Sequence, residues 1–498
     1  MGHVAITAPS IAATDAAEYV VRRGGGAVDA ALAAAIVGMI TEVGVAAPGA
    51  GAFLTVAGPG SDPVVFDGYM AVPGLDGEPS HLHEILAEME YGGGVSTMVG
   101  PASIAVPGAW AAFAESHERF GKVGFDTILA PARHAAETGF PLGQSCLHYL
   151  HYSAGPVFSH DPVSYAALHP EGRLVDAETP VRIPGLVDTI DQLAEHGPGW
   201  FLHGELGRHI AEDLRSRGSR IGTADFRSYE TAIREPLTMS VGDWELSTNP
   251  PPAVGGAGLV TLLAGLESGG GVPGHLDAQE RLFAWRRGAL HHSVDRTSDI
   301  EAFLDDLPGD PITSPSTVHV SAVDDSGVAC ALTLSAGYGS GVIPTGTGLY
   351  MNNGLGELEL VGDRDRLVPG ERLNSNMAPT IARSAGGAIL AIGSPGADRI
   401  TSALSTTIAA FAIGGRALGE AVEVPRFHVA VSEDESVRVK AEPGALDSGH
   451  GRPVDMFEEP HMYFGGVGAA LLDASGELTV VSDPRRAGSA RIVGGRED

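Results

Sequence analysis

Two cysteines stand in 498 residues, Cys146 and Cys330, far apart, with no CxxC and no histidine at metal-ligand spacing. That excludes a disulfide framework and a zinc site. Basic residues are also scarce: 31 Lys+Arg against 62 Asp+Glu leave a formal net charge of −31. So acidic a chain is repelled by nucleic acid and by anionic membrane surfaces, and both drop out as partners. Lys122 and Lys440 are the only lysines, beside abundant alanine and glycine. That bias reads as a GC-rich coding sequence and carries no functional weight. The most apolar run, Ala30 to Ile40, covers 11 residues, against roughly 20 for a bilayer-spanning helix, and reads as a buried helix. The opening MGHVAITAPS has no basic region, leucine-rich stretch or cleavage site; a soluble, cytoplasmic protein is the expectation.

Hydrophobic residues make up 43%, ordinary for a globular chain, and the length allows roughly two to four domains' worth of chain. Residues 13–40 read as two helices around Gly24-Gly25-Gly26, the second starting near Asp29. GVAAPGAGAFLTVAG then runs a glycine-rich loop into a strand, the reverse of phosphate-loop order. Close backbone packing is the better reading of those glycines than a nucleotide cradle. From Pro107 to about Gly288 apolar residues recur at helical intervals. DDLPGDPITSPS (305–316) reads as a linker. Beyond it, TVHVSAVDDSGVACALTLSAG reads as a hairpin turning at Asp-Asp-Ser-Gly, followed by sheet-like text with a helix near 400–418.

A threonine opening a strand just after a linker has two readings. It is a β-branched strand residue, or it is a nucleophile freed by cleavage between Ser316 and Thr317, with its own α-amine as base. The residues around it extend the second reading. RRGGGAVDAALAA (22–34), PGAGAF (48–53), VPGAWAAF (106–113), TNPPPAVGG (248–256), TVHVSAVDDSG (317–327), GSGVIPTGTGLYMNN (339–353), NMAPT (376–380), GSPGADRI (393–400), VPRFH (424–428) and SDPR (482–485) follow in order. In these segments the chain resembles the γ-glutamyltranspeptidase family, the glutathione hydrolase proenzymes, over nearly its whole length.

The resemblance implies an α/β (α+β) Ntn-hydrolase fold, a four-layer αββα sandwich, and a proenzyme that cleaves itself. A large subunit 1–316 and a small subunit 317–498 would form one folded domain, with Thr317 as nucleophile. It places Ser335 as the hydroxyl that orients Thr317, and Gly396 and Ala397 as the N–H pair of the oxyanion hole. His319 falls on the same strand face as Thr317 and reads as a structural hydrogen-bonding residue; Arg485 of SDPR is likewise structural near the site. Glu357, Ser375, Asn376 and Asn353 fall at substrate-binding positions. No metal or cofactor is called for, and the partners are a small-molecule substrate and the two subunits themselves.

One position departs from the pattern. Aligning VVFDGYMAVPG (64–74) on Met70 puts Gly68 where the family has the arginine that clamps the substrate α-carboxylate. No basic residue lies between Arg23 and Arg119. Losing such a bidentate pair costs about 2–5 kcal/mol when partly buried. Gly354 and Ala336 also replace polar residues nearby. Altered specificity is therefore expected. Two alternatives stay open: a C–C bond hydrolase of specialised metabolism (alkylproline-type antibiotic precursors) on the same scaffold, and an uncleaved, non-catalytic binding protein.

Overall fold

The computed structural model describes residues 2–91, 94–266, 271–287, 290, 293, 295–306, 317–431 and 436–494. Two antiparallel sheets lie face to face. The seven-stranded sheet runs, in spatial order, Ser489–Gly494, His3–Ala8, Val318–Asp324, Ala329–Ser335, Gly51–Ala57, Val64–Gly68 and Ala232–Arg234. The six-stranded sheet runs Leu478–Ser482, Gly468–Leu472, Ile389–Gly393, Thr380–Ser384, Trp244–Thr248 and Leu237–Val241. Helices Ile11–Val21 and Ala27–Thr41 cover the outside of the first sheet, and helices Val254–Gly265 and Arg399–Ile408 the outside of the second. The result is the expected four-layer αββα sandwich. Among the described residues no helix is long and apolar enough to cross a membrane.

Both helical readings near the start hold, with shifted bounds. The first helix ends at Val21 rather than Arg23, and Asp29 sits inside the second. Its carboxylate caps that helix by accepting from the Gly26 N–H at 2.8 Å. All 15 residues of Ala27–Thr41 are buried. Lys122 ties this helix to the hairpin: its Nζ donates to Asp324 Oδ2 at 3.1 Å, and the same carboxylate oxygen accepts from the Ala27 N–H. The expected linker 305–316 is corrected at its start, because Asp305 and Asp306 close the helix Arg296–Asp306. The rest of it, Ser316 included, lies outside the described residues.

The two sheets meet over small side chains. Ala5, Ala57, Ala329, Ala331, Ala391 and Ala470 form that contact with Val323, Ile381 and Ile389. Alanine is a packing requirement at this contact: larger residues here would force the sheets apart. Glycine serves the same end at Gly51, where a Cβ would lie 2.6 Å from the Met70 nitrogen.

One polar cluster sits between the sheets. His319 Nδ1 lies 2.8 Å from Thr333 Oγ1 and its Nε2 lies 2.7 Å from Ser321 Oγ, which in turn donates to the Gly468 carbonyl of the other sheet. Burial lowers the ring pKa to about 3, and the buried His275, 3.0 Å from Ser405 Oγ, is lowered to about 3 likewise. Above about pH 6.5 neither ring is protonated in the folded or the unfolded chain. Below it the unfolded chain takes up protons that the folded chain refuses until about pH 3, so stability falls with acid across that window. Urea-unfolding midpoints should drop steadily from pH 6.5 downward, and less steeply in His275→Gln; equal slopes would refute the assignment for that ring.

Candidate active site

Thr317 stands at the leading end of the central strand Val318–Asp324 and is buried. Val318, Val320 and Ala322 face the helical layer, so Thr317 and His319 face the gap between the sheets. In the hairpin His319 pairs with Thr333 and Val318 with Leu334, which sets Ser335 opposite Thr317. Ser335 Oγ also accepts from the Gly337 N–H at 3.1 Å, so the side chain is oriented by its own turn. Two clefts open at this point, and Thr317 lines both.

The smaller cleft, about 230 Å³, is lined by Thr317, Ser335, Glu357, Ser375, Asn376 and Ala397, together with Tyr69, Leu360 and Met377. Segments distant in sequence supply these residues, and the pairing of the strands brings them together. Gly396 and Ala397 lie in the turn between strand Ile389–Gly393 and helix Arg399–Ile408. Among the described residues neither N–H has an intramolecular acceptor. The helix behind them adds the positive end of its dipole. Gly396 has φ +126° and Ala397 φ +61°. A non-glycine residue in the left-handed region is strained by roughly 1–2 kcal/mol. Here that geometry keeps both N–H groups unspent.

Buried ions hold this turn. Asp398 pairs with Arg399 Nη1 at 2.6 Å and His428 Nε2 at 3.0 Å, and His428 Nδ1 meets Ser402 Oγ at 2.8 Å. Burial alone would raise the Asp398 carboxyl, but Arg399 and His428 outweigh it and hold it at about 2. Arg485 is spent structurally: its Nε and Nη2 grip both oxygens of the buried Glu442 at 2.7 and 2.6 Å, and Nη1 reaches Asp483 at 3.2 Å. Asp483 also pairs with Arg426 and accepts from the Val467 N–H.

At the far wall the expectations need revision. Asn353 does not line the cleft. Its Nδ2 donates to Thr97 Oγ1 and the Met98 carbonyl, and its Oδ1 accepts from the Tyr338 N–H at 2.7 Å, so its amide is committed to holding loops. Gly68 faces away: a Cβ there would lie 2.5 Å from Ala112 Cβ and 2.6 Å from the Gly108 carbonyl, within the helical layer. An arginine at 68 would collide with helix Ala109–Phe120 before reaching the cleft. The neighbouring Tyr69 lines the cleft instead, bonded to the Ser375 side chain; burial, then the charge of Glu357, raises its phenol well above the ordinary value. Asp67, itself held by Arg234 at 2.8 Å, receives the Tyr69 N–H and fixes the strand end.

Arg286 is the residue that no motif marked. It comes from helix Gly271–Arg287, is buried, and donates through Nη2 to Asn376 Oδ1. This sets the Asn376 amide so that its oxygen is used and its nitrogen remains. Among the described residues Asn376 Nδ2 and Arg286 Nη1 both lack a hydrogen-bond partner. Burial lowers the guanidinium to about 10, partly offset by Asp398, so it stays charged at neutral pH. Among the described residues no cluster of His, Cys, Asp and Glu could hold a metal.

The strain at 397 is testable. Ala397→Gly keeps the N–H and removes the methyl, and should stabilise the fold by about 1 kcal/mol, seen as a higher thermal unfolding midpoint. A lower midpoint would show that the methyl contributes more by packing than it costs in backbone strain.

Comparison with known proteins agrees with this geometry. The family model described as Gamma-glutamyltranspeptidase matches residues 13–280 and 278–493. The glutathione hydrolase proenzyme of Escherichia coli (strain K12) is 24% identical over 95% of this chain and 89% of its own. The acylase ACY 1 proenzyme of Pseudomonas sp. (strain SE83) is 26% identical over 97% and 92%. Among solved structures, cephalosporin acylase from Bacillus halodurans shares the fold, with a TM-score of 0.77 at 20% identity over 98% of this chain and 96% of that one. The chain belongs to the gamma-glutamyltranspeptidase family and is an enzyme of the Ntn-hydrolase type.

Proposed function

We propose that the chain is a self-processing N-terminal-threonine hydrolase or acyltransferase that cleaves a γ-glutamyl or related amide through an acyl-enzyme. One observation carries this: Thr317, Ser335, Glu357, Ser375, Asn376 and Ala397 line a single cleft between the sheets. Cleavage after Ser316 gives a large subunit 1–316 and a small subunit 317–498 and frees the Thr317 amine. That amine takes the proton from Oγ as Oγ attacks the substrate carbonyl. The N–H groups of Gly396 and Ala397 receive the oxyanion, the amine returns the proton to the leaving nitrogen, and water or an acceptor amine resolves the ester. Ser335 orients the threonine.

Specificity in this proposal comes from the far wall. Glu357 accepts from a substrate ammonium. Asn376 Nδ2, with the Arg286 charge behind it, faces an anionic or carbonyl oxygen of the acyl group and takes over part of the work of the absent arginine. Similarity to proteins named acylase as well as glutathione hydrolase supports an acyl donor that is related to glutamyl without being restricted to it.

Two measurements test this. Electrophoresis of the purified chain should give fragments of 316 and 182 residues, and Thr317→Ala a single band without activity on a γ-glutamyl anilide. A wild-type chain that stays single and inert would instead favour a binding protein. Arg286→Met should raise KM for the γ-glutamyl anilide at least tenfold while leaving butyryl anilide nearly unaffected. Parallel losses on both would assign Arg286 to structure alone.

A further inference from the structure

The segment VPRFH ends on His428, a residue that the proposed reaction does not use. It lies in strand Phe427–Val431 of the small three-stranded sheet and is fully buried. Its ring reaches the helix behind the oxyanion turn: Nε2 lies 3.0 Å from Asp398 Oδ2 and Nδ1 lies 2.8 Å from Ser402 Oγ. The Asp398 carboxyl, held at about 2, is ionised at neutral pH and can only accept, so Nε2 carries the proton. Burial outweighs the attraction of Asp398 and lowers the ring pKa, so His428 is neutral and Nδ1 accepts from the Ser402 hydroxyl. Ser402 thus donates to His428 and His428 to Asp398, which fixes both ring and carboxylate. The Phe283 ring, centred 4.6 Å away, packs against the imidazole.

Asp398 stands where an aspartate ordinarily does something else. It is the N-cap residue of helix Arg399–Ile408, yet its carboxylate makes no bond to that helix's N–H groups, and its backbone is already helical at φ −61° and ψ −28°. Asp161 shows the ordinary arrangement in the same chain. Extended at φ −100° and ψ 124°, it accepts from the N–H groups of Val163 and Ser164, at 2.9 Å each. Asp398 instead spends one oxygen on His428 and the other on its chain neighbour Arg399, at 2.6 Å. Just before it, Gly396 and Ala397 hold φ +126° and +61°. Their carbonyls accept from the N–H groups of Arg399 and Ile400, at 3.1 Å each. A left-handed alanine persists only where its surroundings over-determine it. A released Asp398 carboxylate would cap its own helix, draw residue 398 toward the extended backbone of an ordinary N-cap, and let Ala397 relax.

We propose that His428 is a positioning residue for acyl transfer: by holding the Asp398 carboxylate away from its own helix, it keeps Gly396 and Ala397 in the left-handed geometry that leaves their N–H groups for the oxyanion. The inference rests on the acyl-transfer reading above, in which that turn receives the oxyanion, and adds what holds the turn. Its effect falls on the transition state and not on substrate binding, because Glu357, Ser375 and Asn376, which hold the acyl group in that reading, lie on other segments.

Steady-state kinetics on a γ-glutamyl anilide and a crystal structure of each variant form the test. His428→Phe should lower kcat at least tenfold while changing KM less than twofold. His428→Gln, whose amide can still donate to Asp398, should recover a large part of that loss. Asp398→Ala cuts the same tie from its other end, so the double variant His428→Phe/Asp398→Ala should be no slower than the slower single one. Losses that multiply, or a KM that climbs as kcat falls, would assign His428 to packing and overturn the proposal. Thermal unfolding checks that each variant is folded. Should His428→Phe not fold, Asp398→Ala alone carries the kinetic test, and a wild-type kcat there refutes the role. The crystal structures decide without reference to substrate: in either single variant residue 397 should leave the left-handed region, and a turn that keeps both positive φ angles overturns the proposal. If the wild-type enzyme is inert on the anilide while the turn relaxes in the variants, the glutamyl assignment fails and the role of His428 stands; if the anilide is cleaved and the turn never moves, the reverse follows.

Discussion

The site depends on where one strand lies. Val318–Asp324 is held on both edges, by His3–Ala8 and by Ala329–Ser335, so its register cannot slip without turning its side chains to the wrong face. That register alone puts Thr317 at the strand's leading end, toward the gap between sheets, with Ser335 opposite. The alanines between the sheets let the second sheet come close enough for its own loops to reach the same point. The two clefts and the turn that carries Gly396 and Ala397 meet at one strand end.

Charge is arranged around that point in an uncommon way for a chain of net charge −31. The arginines near the site fall into two kinds. Arg426 and Arg485 are matched to Asp483 and Glu442 and lock the loops together. Arg286 and Arg486 have no carboxylate within ion-pair distance among the described residues, and each stands behind one of the two clefts. A buried pair is an anchor whose loss is expensive, whereas a cation without a carboxylate partner keeps its potential for something that arrives.

Much of this was legible in the sequence. The hairpin, the fully buried helix, the close-packed glycine loop and the segments meeting around Thr317 carry local signals: alternation, capping, turn residues and ordered motifs. The far wall did not, for a physical reason. Which side of strand Val64–Gly68 a residue faces depends on the sheet's register, and a one-residue difference separates Gly68 in the helical layer from Tyr69 in the cleft. Asn353 looked like a binding amide because its type is right; only its three partners reveal that it is used up. Arg286 sits 90 residues before Asn376 on a helix with no distinguishing pattern, so no spacing connects them.

Strands from both sides of residue 316 alternate in the seven-stranded sheet, where 3–8 and 51–57 flank the hairpin 318–335, and in the six-stranded sheet 237–248 sits beside 380–384. Once such a chain is cut in its connecting segment, the two pieces remain threaded through one another. Separation would require stripping central strands from the seven-stranded sheet while parting the six-stranded one between 244–248 and 380–384, which is unfolding and not dissociation. Loss of that peptide bond would therefore free a terminus without freeing a subunit. Dilution should have no hold on an assembly whose interface is its own core, and two separately made pieces would face a bimolecular search for strand positions that the single chain finds within itself.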